Sequence, residues 1–105
     1  MALEIEPSAV NAMLQNGAVL LDVREPDEWA EAHITGAIHI PLGEIARRAN
    51  ELPEAQNIIC MCRSGGRSAK AQRSLLQSGR FGEIFNMSGG ILRWLEAGLP
   101  VERGS

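Results

Sequence analysis

The sequence predicts an α/β fold in which a parallel β-sheet is covered on both faces by helices. Apolar, strand-like runs alternate with helical segments along the whole chain. No internal repeat, low-complexity tract or linker interrupts this alternation. Strands that alternate with helices are typical of a parallel sheet, because each helix carries the chain back to begin the next strand in the same direction.

In the first half of the chain, strands are predicted at "LEIE", "AVLLDV" and "GAIHIP". Pro7 and Ser8 favour a helix start and Gly17 favours its end. "AVLLDV" is nearly all apolar, as in a parallel strand that is buried on both faces. The acids of "EPDEWAEA" suit the first turn of a short helix, and Pro41 closes the third strand.

In the second half, helices are predicted at "LGEIARRAN", "SAKAQRSLLQSG" and "GGILRWLEAG", and strands at "NIICM" and "EIFNM". Cys62 follows "NIICM" directly and precedes a helix that ends at Gly79. Ligands of open parallel sheets bind beyond the carboxyl ends of the strands. We therefore expect Cys62 to stand at a binding site, at the end of a central strand.

Length and composition predict one globular domain over residues 1–105, with 45% hydrophobic and 22% charged residues. The net charge of −3 and the sequence pI of about 5.3 argue against nucleic acid or anionic membranes as main partners. The sequence contains neither a membrane-length apolar stretch nor a secretory signal pattern. These features predict a cytoplasmic protein whose thiols are reduced.

The loop after Cys62 has the composition of an anion-binding cradle. Gly65 and Gly66 permit positive φ angles, so that successive N–H groups can converge on one point. We expect Ser68 to cap a helix that begins near it, which places a positive helix end beside the thiol. Thiols in such places have pKa values of about 3.5 to 7.5.

Positive charge is concentrated around this thiol. Residues 55–82 contain no Asp or Glu, but they contain the cations Arg63, Arg67, Lys70, Arg73 and Arg80. Arg63 and Arg67 lie within the loop and are assigned to the site. The other three are expected on a solvated helix face.

Cys60 is expected to be a buried small hydrophobe in the strand rather than a resolving thiol. Its separation from Cys62 by one residue disfavours a disulfide, and the ligand spacing of a zinc site is missing. Arg24 is expected to pair with Glu25 or Glu28.

Two histidines, two tryptophans and two glycines are interpreted as structural. We expect His33 to hydrogen-bond locally, and we assign neither His33 nor His39 to the site. Trp29 and Trp94 are expected in the core. Gly89 and Gly90 are expected to allow tight packing of the last helix under the site.

Three segments resemble the rhodanese family, specifically its single-domain sulfurtransferases, over about Ile5 to Pro100. "CRSGGRS" is similar to the six-residue active-site loop of that family, here Cys62 to Arg67. "LLDVREPDEWAEAHITGAIHIPL" and "MSGGILRWLEAGLPV" are similar to its amino- and carboxyl-terminal signatures. One departure is Ala32, where the family usually has glycine before the signature histidine, and we expect it to be neutral.

The resemblance implies a rhodanese-like, five-stranded parallel sheet and catalysis through a persulfide on Cys62. Thiosulfate or a similar compound donates the sulfur, and cyanide, a small thiol such as glutathione, thioredoxin or a carrier protein accepts it. No cofactor or metal is implied, and nothing demands more than a monomer. The substrate-binding residues are then Arg63, Ser64, Gly65, Gly66, Arg67 and Ser68.

Three alternatives stay open. Cysteine phosphatases and arsenate reductases also cradle a thiolate, but their loops have five residues between Cys and Arg, whereas this loop has four. A non-enzymatic module that binds a partner or relays sulfur is disfavoured by the intact loop. A redox-sensing thiol would also use a Cys62 of low pKa, without turning over thiosulfate.

Overall fold

The computed structural model describes residues 3–54 and 57–104. The described residues form one five-stranded sheet in which all neighbouring strands are parallel, in the order β1-β5-β4-β2-β3. The strands are β1 (Leu3–Ile5), β2 (Val19–Asp22), β3 (Ile38–His39), β4 (Asn57–Met61) and β5 (Glu83–Met87). The predicted α/β class and parallel sheet are confirmed, and β4 is the central strand.

Within the described residues, four α-helices connect consecutive strands and a fifth follows β5. They are α1 (Pro7–Gln15), α2 (Pro26–Glu31), α3 (Ile45–Arg48), α4 (Gly66–Ser78) and α5 (Gly90–Glu96). The segment predicted as one helix at "LGEIARRAN" is instead a single turn of α-helix, α3, between two 3₁₀ turns, Leu42–Glu44 and Ala49–Glu51. Among the residues that the structure describes, no helix is long and apolar enough to cross a membrane.

The core has two layers because β4 sends alternate side chains to opposite faces of the sheet. Ile58 and Cys60 face a cluster that includes Ile45 of α3 and Leu75 of α4. On the other face, Ile59 and Met61 join residues of α1 and α5, including Val10, Ile91 and Trp94. Both faces of the sheet are therefore covered by helices, which explains why the inner strands lack polar alternation.

The helix after Cys62 begins at Gly66, two residues before Ser68, so Ser68 is not the cap that was predicted. Gly65 is the residue that precedes the helix, and its φ of 117° turns the chain so sharply that helical geometry starts at once. Gly66 lies in the first turn without a positive φ. Ser68 is therefore inside the helix, where its hydroxyl is free to contact something other than the helix end.

The two tryptophans have different environments. Trp94 is 1% exposed in the core, as predicted, and its indole N–H donates to the Pro100 carbonyl at 2.9 Å. Trp29 is only half-buried and lies outside the described core clusters, so the prediction for it was wrong. Helix α2 instead holds its ring against His33 and His39, with centroid distances of 3.9 and 4.8 Å.

Both histidines bond to the backbone. His33 Nδ1 lies 2.9 Å from the Trp29 carbonyl oxygen, which is the predicted local hydrogen bond. His39 Nε2 lies 2.7 Å from the Arg24 carbonyl oxygen.

Candidate active site

Cys62 lies at the carboxyl end of the central strand β4, with β5 and β2 on either side. This is the position predicted from the sequence. The residue is 1% exposed, so the thiol lies below the surface of the loop rather than on it.

Hydrogen-bond donors converge on the Cys62 sulfur. The Gly65 N–H donates to Sγ at 3.0 Å, and the Ser68 hydroxyl oxygen lies 3.3 Å from it. Burial acts to raise the pKa of Cys62, but hydrogen bonds from the Ser68 hydroxyl and from the N–H groups of Ser68, Gly65 and Ser64 outweigh it. The pKa of the thiol is lowered as a result, because these donors favour the thiolate.

The start of α5 fixes the loop from below. The N–H groups of Ile91 and Leu92 donate to the carbonyl oxygens of Cys62 and Arg63 at 2.9 and 3.3 Å. Gly90 has a φ of +58°, and a Cβ there would collide with both of these carbonyl oxygens. The close packing expected at the glycine pair is therefore present at Gly90, where only a residue without a side chain fits.

Arg67 forms an ion pair that the sequence analysis did not foresee. Its two terminal nitrogens donate to Glu28 of α2 at 2.6 and 2.8 Å. These bonds lower the pKa of Glu28 to about 2, and the carboxylate in turn raises the pKa of Arg67. Arg67 is thus not a free cation beside the sulfur, because an acid 39 residues away in sequence neutralises it.

Arg24 was predicted to pair with Glu25 or Glu28, and that prediction was wrong. Its guanidinium bonds the buried Asp22 carboxylate at 2.8 to 3.2 Å. It also donates to the carbonyl oxygens of Glu28 and Ala32 at 3.3 and 2.6 Å. Arg24 therefore ties the first turn of α2 and the residue after its last turn to the carboxyl end of β2, because its planar fork reaches several acceptors at once.

Ala32 occupies a position that glycine usually fills in the resembling family. Its φ of −167° and ψ of 138° are extended values that any residue adopts. The methyl group therefore meets no backbone restriction here.

Cys60 is fully buried in the cluster of α3 and α4, as predicted. Burial, and secondarily the nearby Cys62, raises its pKa to about 12. Strand alternation does not separate the two thiols, because residues two apart face the same side and both belong to this cluster. They differ in position along the chain, because Cys60 lies within β4 and Cys62 follows its last residue.

Asn86 is a site residue that the sequence analysis missed. It is 4% exposed, lies near the carboxyl end of β5, and its Oδ1 accepts a hydrogen bond of 2.5 Å from the Ser68 hydroxyl. Its Nδ2 donates to the Gly65 carbonyl oxygen at 3.1 Å and to Glu4 at 3.0 Å. A polar residue within the strand "EIFNM", beside the strand that leads to Cys62, was the available signal.

The remaining cations lie outside this network. Arg63 is exposed and lines a groove beside the loop with Leu92 and Leu95 of α5. Lys70 and Arg73 are exposed on α4, as expected of a solvated helix face. Arg80 is also exposed but lies beyond the end of α4, where its guanidinium donates to the Ala49 carbonyl oxygen at 3.1 Å and lies over the Phe81 ring.

The family described as "Rhodanese-like domain" matches residues 6–97. The chain belongs to this rhodanese-like family. A protein of Allochromatium vinosum named "Sulfurtransferase" is 35% identical over 100 residues, which cover 93% of this chain and 92% of that protein.

Rhodanese-like relatives also include larger proteins. The "Putative sulfur carrier protein YrkF" of Bacillus subtilis is 47% identical over 75 residues, covering 71% of this chain but 40% of that protein. The crystal structure of a rhodanese-related protein from Thermoplasma volcanium is 32% identical, with a TM-score of 0.87 over 95% of this chain and 97% of that one. The rhodanese-like architecture is therefore shared nearly from end to end with a solved structure.

Proposed function

We propose that the protein is a sulfurtransferase that carries sulfane sulfur as a persulfide on Cys62, with thiosulfate or a similar anion as donor. The observation that carries this proposal is the buried thiol toward which the N–H groups of Ser64, Gly65 and Ser68 converge. The named activities of its relatives, a sulfurtransferase and a putative sulfur carrier, support the same class of reaction.

The first half-reaction forms the persulfide. The Cys62 thiolate attacks the outer sulfur of thiosulfate, a new S–S bond forms, and the S–S bond of thiosulfate breaks. Sulfite leaves with the electron pair of that bond. The N–H groups around Sγ stabilise the thiolate before attack, and donors fixed in advance in this way cost no reorganisation during the reaction.

The second half-reaction returns the free thiolate. A nucleophilic acceptor attacks the terminal sulfur of the persulfide, and Cys62 leaves with the electron pair. Cyanide, a small thiol, a thioredoxin-like protein or a carrier protein has the necessary nucleophile. This chemistry requires reduced thiols, which is consistent with a cytoplasmic protein.

The loop residues have separate roles in this proposal. Ser64, Gly65 and Ser68 supply donors to the sulfur, and Gly66 begins α4 without a side chain over the cradle. Arg63 is exposed in the groove beside the loop, where its charge attracts an anionic donor. Arg67 ties the loop to α2 through Glu28 and so holds its shape.

Intact-protein mass spectrometry tests the proposal directly. After thiosulfate treatment the protein should gain the mass of one sulfur atom, and cyanide should remove it. The gain should be absent in Cys62→Ser and present in Cys60→Ser. Turnover of p-nitrophenyl phosphate without any sulfur gain would replace this function with the phosphatase alternative.

A further inference from the structure

The Ser68 hydroxyl has one proton and three acceptors within reach. Its oxygen, which is fully buried, lies 3.3 Å from Cys62 Sγ, 3.2 Å from the Gly65 carbonyl oxygen and 2.5 Å from Asn86 Oδ1. A serine hydroxyl can donate only one hydrogen bond at a time. The three acceptors therefore compete for the same proton.

The Gly65 carbonyl oxygen is the weakest of these competitors. It already accepts hydrogen bonds from the Ala69 N–H at 3.2 Å and from Asn86 Nδ2 at 3.1 Å. A carbonyl oxygen has two lone pairs, and both are in use. The Ser68 hydroxyl therefore donates its hydrogen bond either to the Asn86 amide oxygen or to the Cys62 sulfur.

The amide of Asn86 cannot turn to present its nitrogen instead. Its Nδ2 donates to the Glu4 carboxylate at 3.0 Å and to the Gly65 carbonyl oxygen. Rotating the amide would place Oδ1 against these two acceptors, which would repel it. Ser88 also donates to Glu4, at 3.1 Å, and so holds that carboxylate in place. Asn86 Oδ1 consequently faces Ser68 and requires a donor.

We propose that Asn86 is a positioning residue that holds the Ser68 proton away from Cys62 while the thiol is protonated, and yields it to the sulfur when the thiolate forms. In the first state the Cys62 S–H donates to the Ser68 oxygen, and the Ser68 O–H donates to Asn86. In the second state the hydroxyl rotates toward Sγ, because a thiolate is a stronger acceptor than an amide oxygen. No proton is gained or lost by Ser68 or Asn86.

The other ionisable groups near the sulfur do not replace this contact. Arg67 of α4 is the cation that acts on Cys62, and Glu28 of α2 neutralises it. Cys60 of β4 is buried beside it, and Glu4 of β1 reaches the site only through Asn86 and Ser88. The hydroxyl is thus the side-chain donor to the sulfur that Asn86 can withhold.

The proposal predicts a pKa change whose sign distinguishes it from a structural role. In Asn86→Leu the competing oxygen is absent, so Ser68 donates freely to the thiolate. We expect the pH midpoint of Cys62 alkylation by iodoacetamide to fall by about one unit, the scale of one hydrogen bond to a charged group. If Asn86 only supported the loop through Gly65, its loss would loosen the N–H donors and the midpoint would rise. A rise would overturn the proposal.

A double-mutant cycle tests whether Asn86 acts through Ser68. Ser68→Ala should raise the midpoint, because it removes the donor. In the double variant, Asn86→Leu should leave the midpoint at the value of Ser68→Ala alone. A midpoint in the double variant that is lower than in Ser68→Ala would overturn the proposal. Ser74→Ala, a change of an exposed serine on the same helix, is the matched control and should leave the midpoint unchanged.

A second variant guards this test against misfolding, and the alkylation assay makes it independent of sulfur transfer. If Asn86→Leu does not fold, Asn86→Ala removes the same oxygen with a smaller side chain and should shift the midpoint in the same direction. The inference concerns the thiol used in the proposed function, but alkylation needs no sulfur donor. A fall in the midpoint without sulfur loading by thiosulfate would therefore reject the proposed function and leave the role of Asn86 standing.

Discussion

The two cysteines lie two residues apart and face the same side of the sheet, but their pKa values shift in opposite directions. Cys60 lies within β4 and pairs in the sheet with Leu21 and Asn86, so its own backbone is committed to the ladder. Cys62 lies one residue past the end of β4, where the chain turns and N–H groups point at the sulfur. Burial dominates at Cys60 and raises its pKa to about 12, whereas donors dominate at Cys62 and lower its pKa.

Burial by itself does not explain this difference, because both residues are at most 1% exposed. The distinguishing feature is the supply of donors, which a parallel sheet offers beyond its carboxyl edge and not within its ladders. We expect a buried thiol to be inert in the first setting and nucleophilic in the second.

The largest effect is expected when Cys62, the thiol just beyond the end of β4, is replaced. Cys62→Ser should reduce sulfur transfer from thiosulfate to cyanide by more than about a thousandfold, as when other catalytic nucleophiles are removed. The physical reason is that a serine hydroxyl ionises too weakly to attack at neutral pH. Thiocyanate formation measures the rate, and turnover that survives this change would remove Cys62 from the mechanism.

Gly90→Ala should disrupt the floor of the loop. The new Cβ would meet the carbonyl oxygens of Cys62 and Arg63. We expect a loss of about 2 to 4 kcal/mol in unfolding free energy, from overpacking combined with the left-handed backbone. Urea denaturation measures it, and the alkylation rate of Cys62 should fall in the same variant.

Gly98→Ala is the matched control for this change. Gly98 has a comparable positive φ of 75°, but a Cβ there meets nothing within 4 Å. It should lose about 1 to 2 kcal/mol from the backbone alone and keep its alkylation rate. Equal losses in the two variants would show that the contact with the loop carbonyls is unimportant.

Cys60→Ser should change stability but not sulfur loading. A hydroxyl in the apolar cluster of α3 and α4 costs about 1 to 3 kcal/mol when it has no hydrogen-bond partner. Urea denaturation should show this loss, while mass spectrometry should show full sulfur gain on Cys62. Loading without subsequent release to a thiol acceptor would identify Cys60 as a resolving thiol and contradict its assignment as an inert core residue.

The smallest effect concerns the ion pair between Arg67 and Glu28. The pKa of Glu28 is about 2 in the folded protein, compared with its ordinary value of 4.5. Its pairing with Arg67 therefore stabilises the fold above pH 4.5, and this stabilisation is lost as the pH falls toward 2. Because both side chains are partly exposed, we expect only about 1 kcal/mol. The difference in unfolding free energy between the wild type and Glu28→Gln should shrink over that range, and a constant difference would contradict this pairing.

Much of the fold was predictable because its signals are local. Apolar strand runs, helix-start prolines and the glycines of the loop each act within a few residues, and their alternation predicts a parallel sheet with Cys62 at its carboxyl edge. The helix start was misplaced by two residues because the positive φ of Gly65, rather than a serine cap, begins α4. Trp29 was misplaced because an apolar ring on α2 packs on imidazoles as readily as in a core.

By itself, the sequence determined the fold class and the position of Cys62 and its loop at the carboxyl end of a central strand. The tertiary structure decided which charges meet: Arg67 with Glu28, and Arg24 with Asp22. It also decided that Asn86 reaches Ser68 from a neighbouring strand, 18 residues further along the chain. The physical reason is that hydrogen bonds and ion pairs form between whichever partners the folded chain brings within about 3 Å, and sequence periodicity carries no information about such distant partners.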